Sequence, residues 1–430
     1  MARILVIGGS LGGLLAANVL HRQGHEVCVL EKVRGSMDGR GAGIVTHDAL
    51  FAALGQAGLQ VDEALGVQVR QRVALDAQGR TEVCIDMPQV LTSWSRLYDL
   101  LHQLLPPSLY VQGVTVQKIE QQSSAAVVHG LGPQGPQTWS AELVVASDGI
   151  RSVVRQQYAP QVQPCYAGYV AWRGVCDEAV LSDRTLQTVF ETFGFGLPLG
   201  EQLIGYPVAG PGNDVRPGHR AYNFVWYRPA PAPVLARLLT DADGVSHQGG
   251  ISPNKVDWRH VADMRQAARA LLAPQFAEMI EKTAQPFLQP IYDLSSERVA
   301  FGRVALMGDA SFVARPHIGM GVTKAAQDAV ALADAIAQHG ATPLALQAYE
   351  ERRVPECEAA VARARWLGAY MQSQAQSAGA QASAQATARS SHEVVSETAI
   401  DMDRYGHQSS FPGAAAMRLR PGQPGQRLSP

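Results

Sequence analysis

The first 31 residues constrain this 430-residue chain more than any other stretch. Ile4 to Ile7 is an unbroken apolar run, as in a strand buried on both faces. Gly8-Gly9-Ser10-Leu11-Gly12-Gly13 then makes a tight turn, and Leu14 to Arg22 carries helix formers that Gly24 stops. Glu26 to Leu30 is a second strand, ending at Glu31. This order predicts a strand–helix–strand unit. Backbone N–H groups at such a helix start attract a pyrophosphate, helped by the helix dipole. Gly8 permits the sharp turn and Gly13 permits close packing of helix on strand. Glu31, 23 residues after Gly8, stands where an acid can hold a ribose hydroxyl. The middle glycine of the usual pattern is Ser10 here, small enough for close approach and able to donate to a phosphate.

Two further segments repeat the strand-then-turn theme. Val144 to Ala146 leads into Ser147-Asp148-Gly149 and a basic helix start at Arg151. Val304 to Met307 leads into Gly308-Asp309-Ala310, then Arg315-Pro316-His317-Ile318-Gly319-Met320-Gly321 and a long helix to Gln338. Each alone also fits an ordinary strand–turn–helix connection. A carboxylate at Asp309 can accept bonds from a polyol chain, and the second helix start can stabilise negative charge on a ring.

Between them the texture changes. Thr81–Ile85, Leu186–Phe195, Gln202–Val208 and Ala221–Arg228 are rich in β-branched and aromatic residues between Gly and Pro turns, and predict an antiparallel sheet. Residues 258–283 read as helical. The fold class is therefore α/β: a Rossmann-like domain with a parallel sheet, interrupted by an antiparallel-sheet domain, plus a C-terminal helical tail. The expected division is 1–70, 90–165 and 290–350 for the first domain, 71–89 and 166–289 for the second, and 351–430 for the tail. Within the tail, Gln372–Ser391 is almost all Ala, Gln and Ser, which fits a weak surface helix. Pro421–Pro430 is rich in Pro and Gly, which fits disorder.

Composition narrows the class. A net charge of −2 gives no electrostatic case for nucleic acid. No apolar run approaches the ~20 residues of a membrane span. No basic start with a long apolar core marks a leader, so we expect a cytoplasmic protein. The five cysteines are scattered, with no spacing for a disulfide framework or a metal.

Taken together, the three turns resemble the FAD-dependent aromatic hydroxylases, the single-component flavoprotein monooxygenases typified by para-hydroxybenzoate hydroxylase. The resemblance spans about residues 1–350 in order, spacing and flanking residues. Within that family, Gly205-Tyr206-Pro207-Val208, Asn223-Phe224-Val225-Trp226-Tyr227 and Arg315-Pro316-His317 are most similar to members that act on hydroxypyridines. It implies bound FAD, NADH or NADPH as a transient hydride donor, O2, and transfer of one oxygen to an electron-rich ring through a flavin C4a-hydroperoxide. It also implies a homodimer.

By the same resemblance, Ser10, Leu11 and Glu31 take the ADP half of the cofactor, on the turn that Gly8 and Gly13 permit, and Lys32 stands where the family usually has Arg. Arg96 approaches the flavin side chain or pyrophosphate, although a surface helix charge fits it too. Val116 offers a backbone contact on the adenine side. Asp148 supports FAD and nicotinamide binding, and Asp309 the ribityl or ribose part. Gly319, Met320, Gly321 and Val322 lie at the flavin's pyrimidine edge.

The ring's hydroxyl reacts faster when a base accepts its proton, and imidazole titrates near neutrality. His47, after the 41–46 segment that the family runs past the flavin, and His317, beside the glycine loop, are the candidate catalytic residues. A surface helix-start histidine is the other reading of His47. Tyr206, Asn223 and Tyr222, on neighbouring predicted strands, are candidate substrate contacts; alternation alone does not say which residues face the pocket. The sheet shows no arginine cluster for a carboxylate, with Arg220 the nearest candidate. That favours a neutral hydroxypyridine over a hydroxybenzoate. A reductase or oxidase on the same architecture, and a non-catalytic FAD-binding protein, are the competing readings.

Overall fold

A computed structural model describes residues 1–35, 43–62, 65–372 and 389–400. Gly41 and Ala42, most of the Ala/Gln/Ser run and all of Pro421–Pro430 lie outside the described residues.

The apolar runs assemble a six-stranded sheet in the order Ala300–Phe301, Val304–Leu306, Leu143–Ala146, Arg3–Ile7, Glu26–Glu31, Tyr110–Gln112. Four of its five pairings are parallel, and the edge pair Ala300–Phe301 with Val304–Leu306 is antiparallel. Helices Leu11–Arg22 and Gly321–His339 pack together and bury Leu14, Leu15, Ala329 and Leu332 in its core. Each such Leu contributes about 1.5–3 kcal/mol by leaving water. Ala300–Phe301 and Val304–Leu306 form a short antiparallel hairpin that turns at Gly302, φ +63°. A three-stranded antiparallel sheet from Thr115 to Ala141 lies beside this domain, unforeseen from sequence.

The second sheet has eight strands: Phe287–Asp293, Cys165–Asp177, Ala221–Pro229, Gln202–Val208, Phe193–Gly196, Val67–Leu75, Thr81–Ser93, Gly43–Val45. It is not wholly antiparallel, because Phe193–Gly196 runs parallel to Val67–Leu75. The expected strand at Leu186–Phe195 is extended only from Phe193; Leu186–Phe190 coils into helical turns that bury Val189 and Phe190. The sheet's two faces are distinct. Tyr222, Phe224 and Trp226 pack against the helices Trp258–Leu271 and Pro274–Lys282 through Met264, Phe276 and Met279. Tyr206, Val225 and Tyr227 face the other way, toward the first domain.

The boundary expected at 350 falls inside one helix, Pro343–Gly368, which buries Tyr349, Cys357 and Val361 in the first domain's core. The chain then returns at 389–400, where the helix Ser391–Glu397 buries Val394 and Val395 against the second sheet. Among the described residues no helix is long and apolar enough to cross a membrane.

Candidate active site

Two clefts meet around the turn at 147–151. The first, of about 350 Å³, is lined by Gly8, Ser10, Glu31, Lys32, Val116 and Asp148, among others. Its floor is backbone. Gly8 has φ +98°, and a Cβ there would lie 2.4 Å from the Ser147 carbonyl oxygen. A Cβ on Gly13 would lie 1.8 Å from the Gly8 oxygen, so both positions require glycine. Glu31 fixes the turn by accepting from the Gly9 N–H at 2.7 Å and the Val33 N–H at 2.8 Å. Tyr110 donates to the Gly9 oxygen at 3.0 Å. Ser10 starts the helix in extended conformation, and its hydroxyl makes no capping bond. Leu11, the first residue of that helix, is buried.

Asp148 closes this cleft. One carboxylate oxygen accepts from the Val153 N–H at 2.9 Å; the other is buried with no partner among the described residues. Burial raises its pKa above the usual carboxylate range, against the bonds from Ser152 and the backbone. Arg96 lies in the first turn of the helix Trp94–Leu104, where its N–H donates to Ser93; Trp94 itself lines the cleft.

The second cleft, of about 280 Å³, has Gly43, Val45, Asp309, Gly319, Gly321 and Val322 on one wall. Asp309 extends from a single turn braced from beneath. Asp328 accepts the Gly308 N–H at 2.9 Å, and Lys324 donates to the Gly308 oxygen at 2.9 Å. Arg353 pairs with Asp328 at 2.7 Å. Lys324, Asp328 and Arg353 are all buried, and a lone buried charge costs several kcal/mol, so the pairing is obligatory. Burial pulls the Asp328 pKa up, but Lys324 and Arg353 outweigh it and hold the group ionised. The Gly321 helix start opens to free space. Met320 turns its side chain into the core with Ile318, Ala360 and Leu367, and its neighbours Gly319, Gly321 and Val322 line the cleft instead.

The opposite wall belongs to the second sheet: Arg173, Tyr206, Val225 and Tyr227. Register puts Arg173 opposite Val225 and Tyr206 opposite Asn223. Asn223 accepts the Gly43 N–H at 2.9 Å, and the Tyr206 ring lies so close that a Cβ on Gly43 would be 2.3 Å from it. Three donors on this face have no partner among the described residues: Arg173 Nε, Asn223 Nδ2 and the Tyr227 hydroxyl. Burial pushes the Tyr227 pKa up to about 12, with the Arg173 charge pulling the other way, so this phenol stays a donor at neutral pH.

Four expectations need correction. His317 is not a cleft base. It is buried behind the wall, its Nδ1 2.9 Å from the Gln202 side-chain oxygen and its Nε2 2.8 Å from the Tyr169 hydroxyl. Burial, and then Arg315 and Arg389, push its pKa down to about 3, so it is neutral. His47 starts the helix Asp48–Ala57, with Nδ1 2.9 Å from Thr323 Oγ1, and lines a separate cavity with Phe51, Gln89 and Ile400. Tyr222 is on the helix-packed face, away from Tyr206 and Asn223, because one residue along a strand reverses the side chain. Arg220 is committed to Glu178 and Glu191 at 2.7 and 2.6 Å.

Arg173, Tyr227 and the Lys324–Asp328–Arg353 cluster were missed. A charge inside the apolar run Tyr169–Gly174, and Lys324 and Asp328 four apart on an Ala-rich helix face, were the available signals.

The FAD binding domain family matches residues 1–184 and 247–364, and a FAD-binding-domain-like family matches 166–293. The chain belongs to the FAD binding domain family. A 2,6-dihydroxypyridine 3-monooxygenase from Paenarthrobacter nicotinovorans is 29% identical over 86% of this chain and 91% of its own. A 3-hydroxybenzoate 6-hydroxylase from Klebsiella oxytoca is 26% identical over 85% and 88%. The solved 2,6-dihydroxypyridine-3-hydroxylase from Arthrobacter nicotinovorans superposes with a TM-score of 0.79 at 28% identity, over 90% of this chain and 96% of that one. HpxO from Klebsiella pneumoniae, solved with FAD and uric acid, shares the fold at a TM-score of 0.70 and 21% identity, over 92% and 95%.

FAD fits the residues present. The glycine cradle admits no side chain, the orphaned Asp148 oxygen and the unused Ser10 hydroxyl are free to bond, and an open helix start awaits at the far end.

Proposed function

We propose that this flavoprotein is an aromatic-ring monooxygenase whose substrate is a hydroxylated N-heteroaromatic ring of the hydroxypyridine class, with NADH or NADPH as reductant. Two unpartnered donors that line the cleft with Asp309 and the glycine loop, Arg173 Nε and the Tyr227 hydroxyl, carry the reading. When bound, FAD supplies hydride acceptance and oxygen activation. The chain's part is to position the ring and exclude water. Ser10 and the Leu11 helix start hold the pyrophosphate, Glu31 the adenosine ribose, and Asp309 the polyol. Arg173 and Tyr227 donate to a ring oxygen and stabilise it as an anion, which raises electron density on the carbon attacked. Asn223 orients a second polar edge. No histidine base is used: His317 is neutral and enclosed, and His47 faces another cavity.

Arg173 also favours a second reading, a hydroxybenzoate, since a guanidinium can hold a carboxylate. A panel of hydroxypyridines, hydroxybenzoates and simple phenols separates the two, with NAD(P)H oxidation and hydrogen peroxide followed together. Strong stimulation by a dihydroxypyridine with little peroxide is expected. Coupled turnover of a hydroxybenzoate alone would favour the second reading. No stimulation by any ring would overturn both and favour a reductase or oxidase. The homodimer is part of this reading and is checked by light scattering.

A further inference from the structure

We infer that the segment 389–400 is a fixed wall of the substrate cleft, latched by Arg72, and that it limits the size of ring admitted and keeps solvent from the flavin end. The inference rests on the reading that the second cleft takes flavin and ring.

The segment is far from the rest of the site in sequence, yet Ala399 lines the cleft directly. A Cβ on Gly319 would lie 2.7 Å from the Ala399 Cβ, so the wall and the flavin-edge loop touch. Ala399 has φ +52°, a left-handed conformation that an alanine keeps only when its surroundings impose it. Here both its backbone groups are held. The Ala399 N–H donates to the His317 oxygen at 2.8 Å. The Ala399 oxygen accepts from Arg72 at 2.9 Å and from Gln89 at 3.3 Å.

Arg72 is committed to this task. It is fully buried and also donates to the oxygens of Val395 at 2.8 Å and Thr398 at 2.5 Å. These are the carbonyls at the end of the helix Ser391–Glu397, where the helix dipole is negative. The guanidinium makes no carboxylate pair among the described residues; its remaining bonds go to the Gln89 side chain, and it stacks over Phe193. A buried cation matched only by carbonyls is costly to assemble, and every backbone carbonyl it holds belongs to this segment. A second tie explains the enclosed histidine: Gln202 donates to Thr398 Oγ1 at 3.2 Å while its oxygen meets His317 Nδ1. His317 thereby positions the wall and the glycine loop instead of acting on substrate.

The test uses the full-length holoenzyme and two variants, Arg72→Met and Ala399→Val. The first removes the latch; the second places a β-branched side chain where the backbone is left-handed. FAD content reports whether each variant folds. Iodide quenching of flavin fluorescence reports solvent access and needs no substrate, so it stands even if no ring compound stimulates turnover. Substrate KM and the peroxide released per NAD(P)H consumed report the wall's effect on coupling. The expected result is FAD content like the parent, quenching several-fold stronger, a higher KM with little change in kcat, and more peroxide. If Arg72→Met fails to retain FAD, Ala399→Val decides. FAD-replete variants with parental quenching and parental peroxide release would overturn the inference.

Discussion

The two clefts are built from different materials. The first is made of backbone: a left-handed glycine, a second glycine under a helix, and a carboxylate gripping two N–H groups. The second is made of side chains projecting from a sheet, Arg173, Tyr206 and Tyr227 against a glycine loop. A backbone site needs particular residues in one short stretch, because only they permit the φ angles and close approaches. A side-chain site needs the pleat, the register and the facing element to be settled first. The first therefore tolerates almost no substitution, while the second can be altered without unfolding the domain that holds FAD.

The sharpest break would come at Gly13. Gly13→Ala places a methyl 1.8 Å from a carbonyl oxygen, and overpacking of this kind costs about 3 kcal/mol or more. We expect protein without FAD, read from the absorbance ratio. Retained FAD at parental stability would mean that the turn is not the rigid element described.

A smaller effect distinguishes the enclosed histidine from a catalytic one. The folded imidazole has a pKa of about 3 against an ordinary 6.5, so as pH falls the unfolded chain takes up the proton first. The stability this site contributes is complete above 6.5 and drains away between 6.5 and 3. His317→Gln should flatten the fall of the urea midpoint on acidification through this window. An unchanged acid limb would show that another group dominates.

The smallest effects come from a pair on one strand. Tyr227→Phe removes a donor to substrate and should raise KM about fivefold, the worth of about 1 kcal/mol. Tyr222→Phe, on the opposite face, should leave KM unchanged. Equal effects at both positions would contradict the assignment of the faces.

The same contrast governs what could be read in advance. Gly8, Gly13, Glu31, Asp148 and Asp309 declare themselves through local pattern, and all line or shape the clefts. His317 could not be read, because its burial depends on Gln202 and Tyr169, which come from distant strands. Tyr222 and Tyr227 are chemically alike in sequence, and only the pleat parts them. The domain boundary expected at 350 lies inside one continuous helix, whose Tyr349 and Cys357 are both core residues, and a core shared across a boundary leaves no local mark in the sequence. Arg173 went unread because one charge in an apolar strand gives no direction until the sheet is folded.

Arg173→Met tests the account most directly. In one preparation, FAD content and ring-stimulated NAD(P)H oxidation would be measured against the parent. A lost charged hydrogen bond is worth about 1.5–3 kcal/mol, or about 10–100-fold. The account predicts parental FAD with KM for the ring raised by that factor. Parental FAD with parental KM would contradict it, since the guanidinium would then face the cleft without holding the substrate.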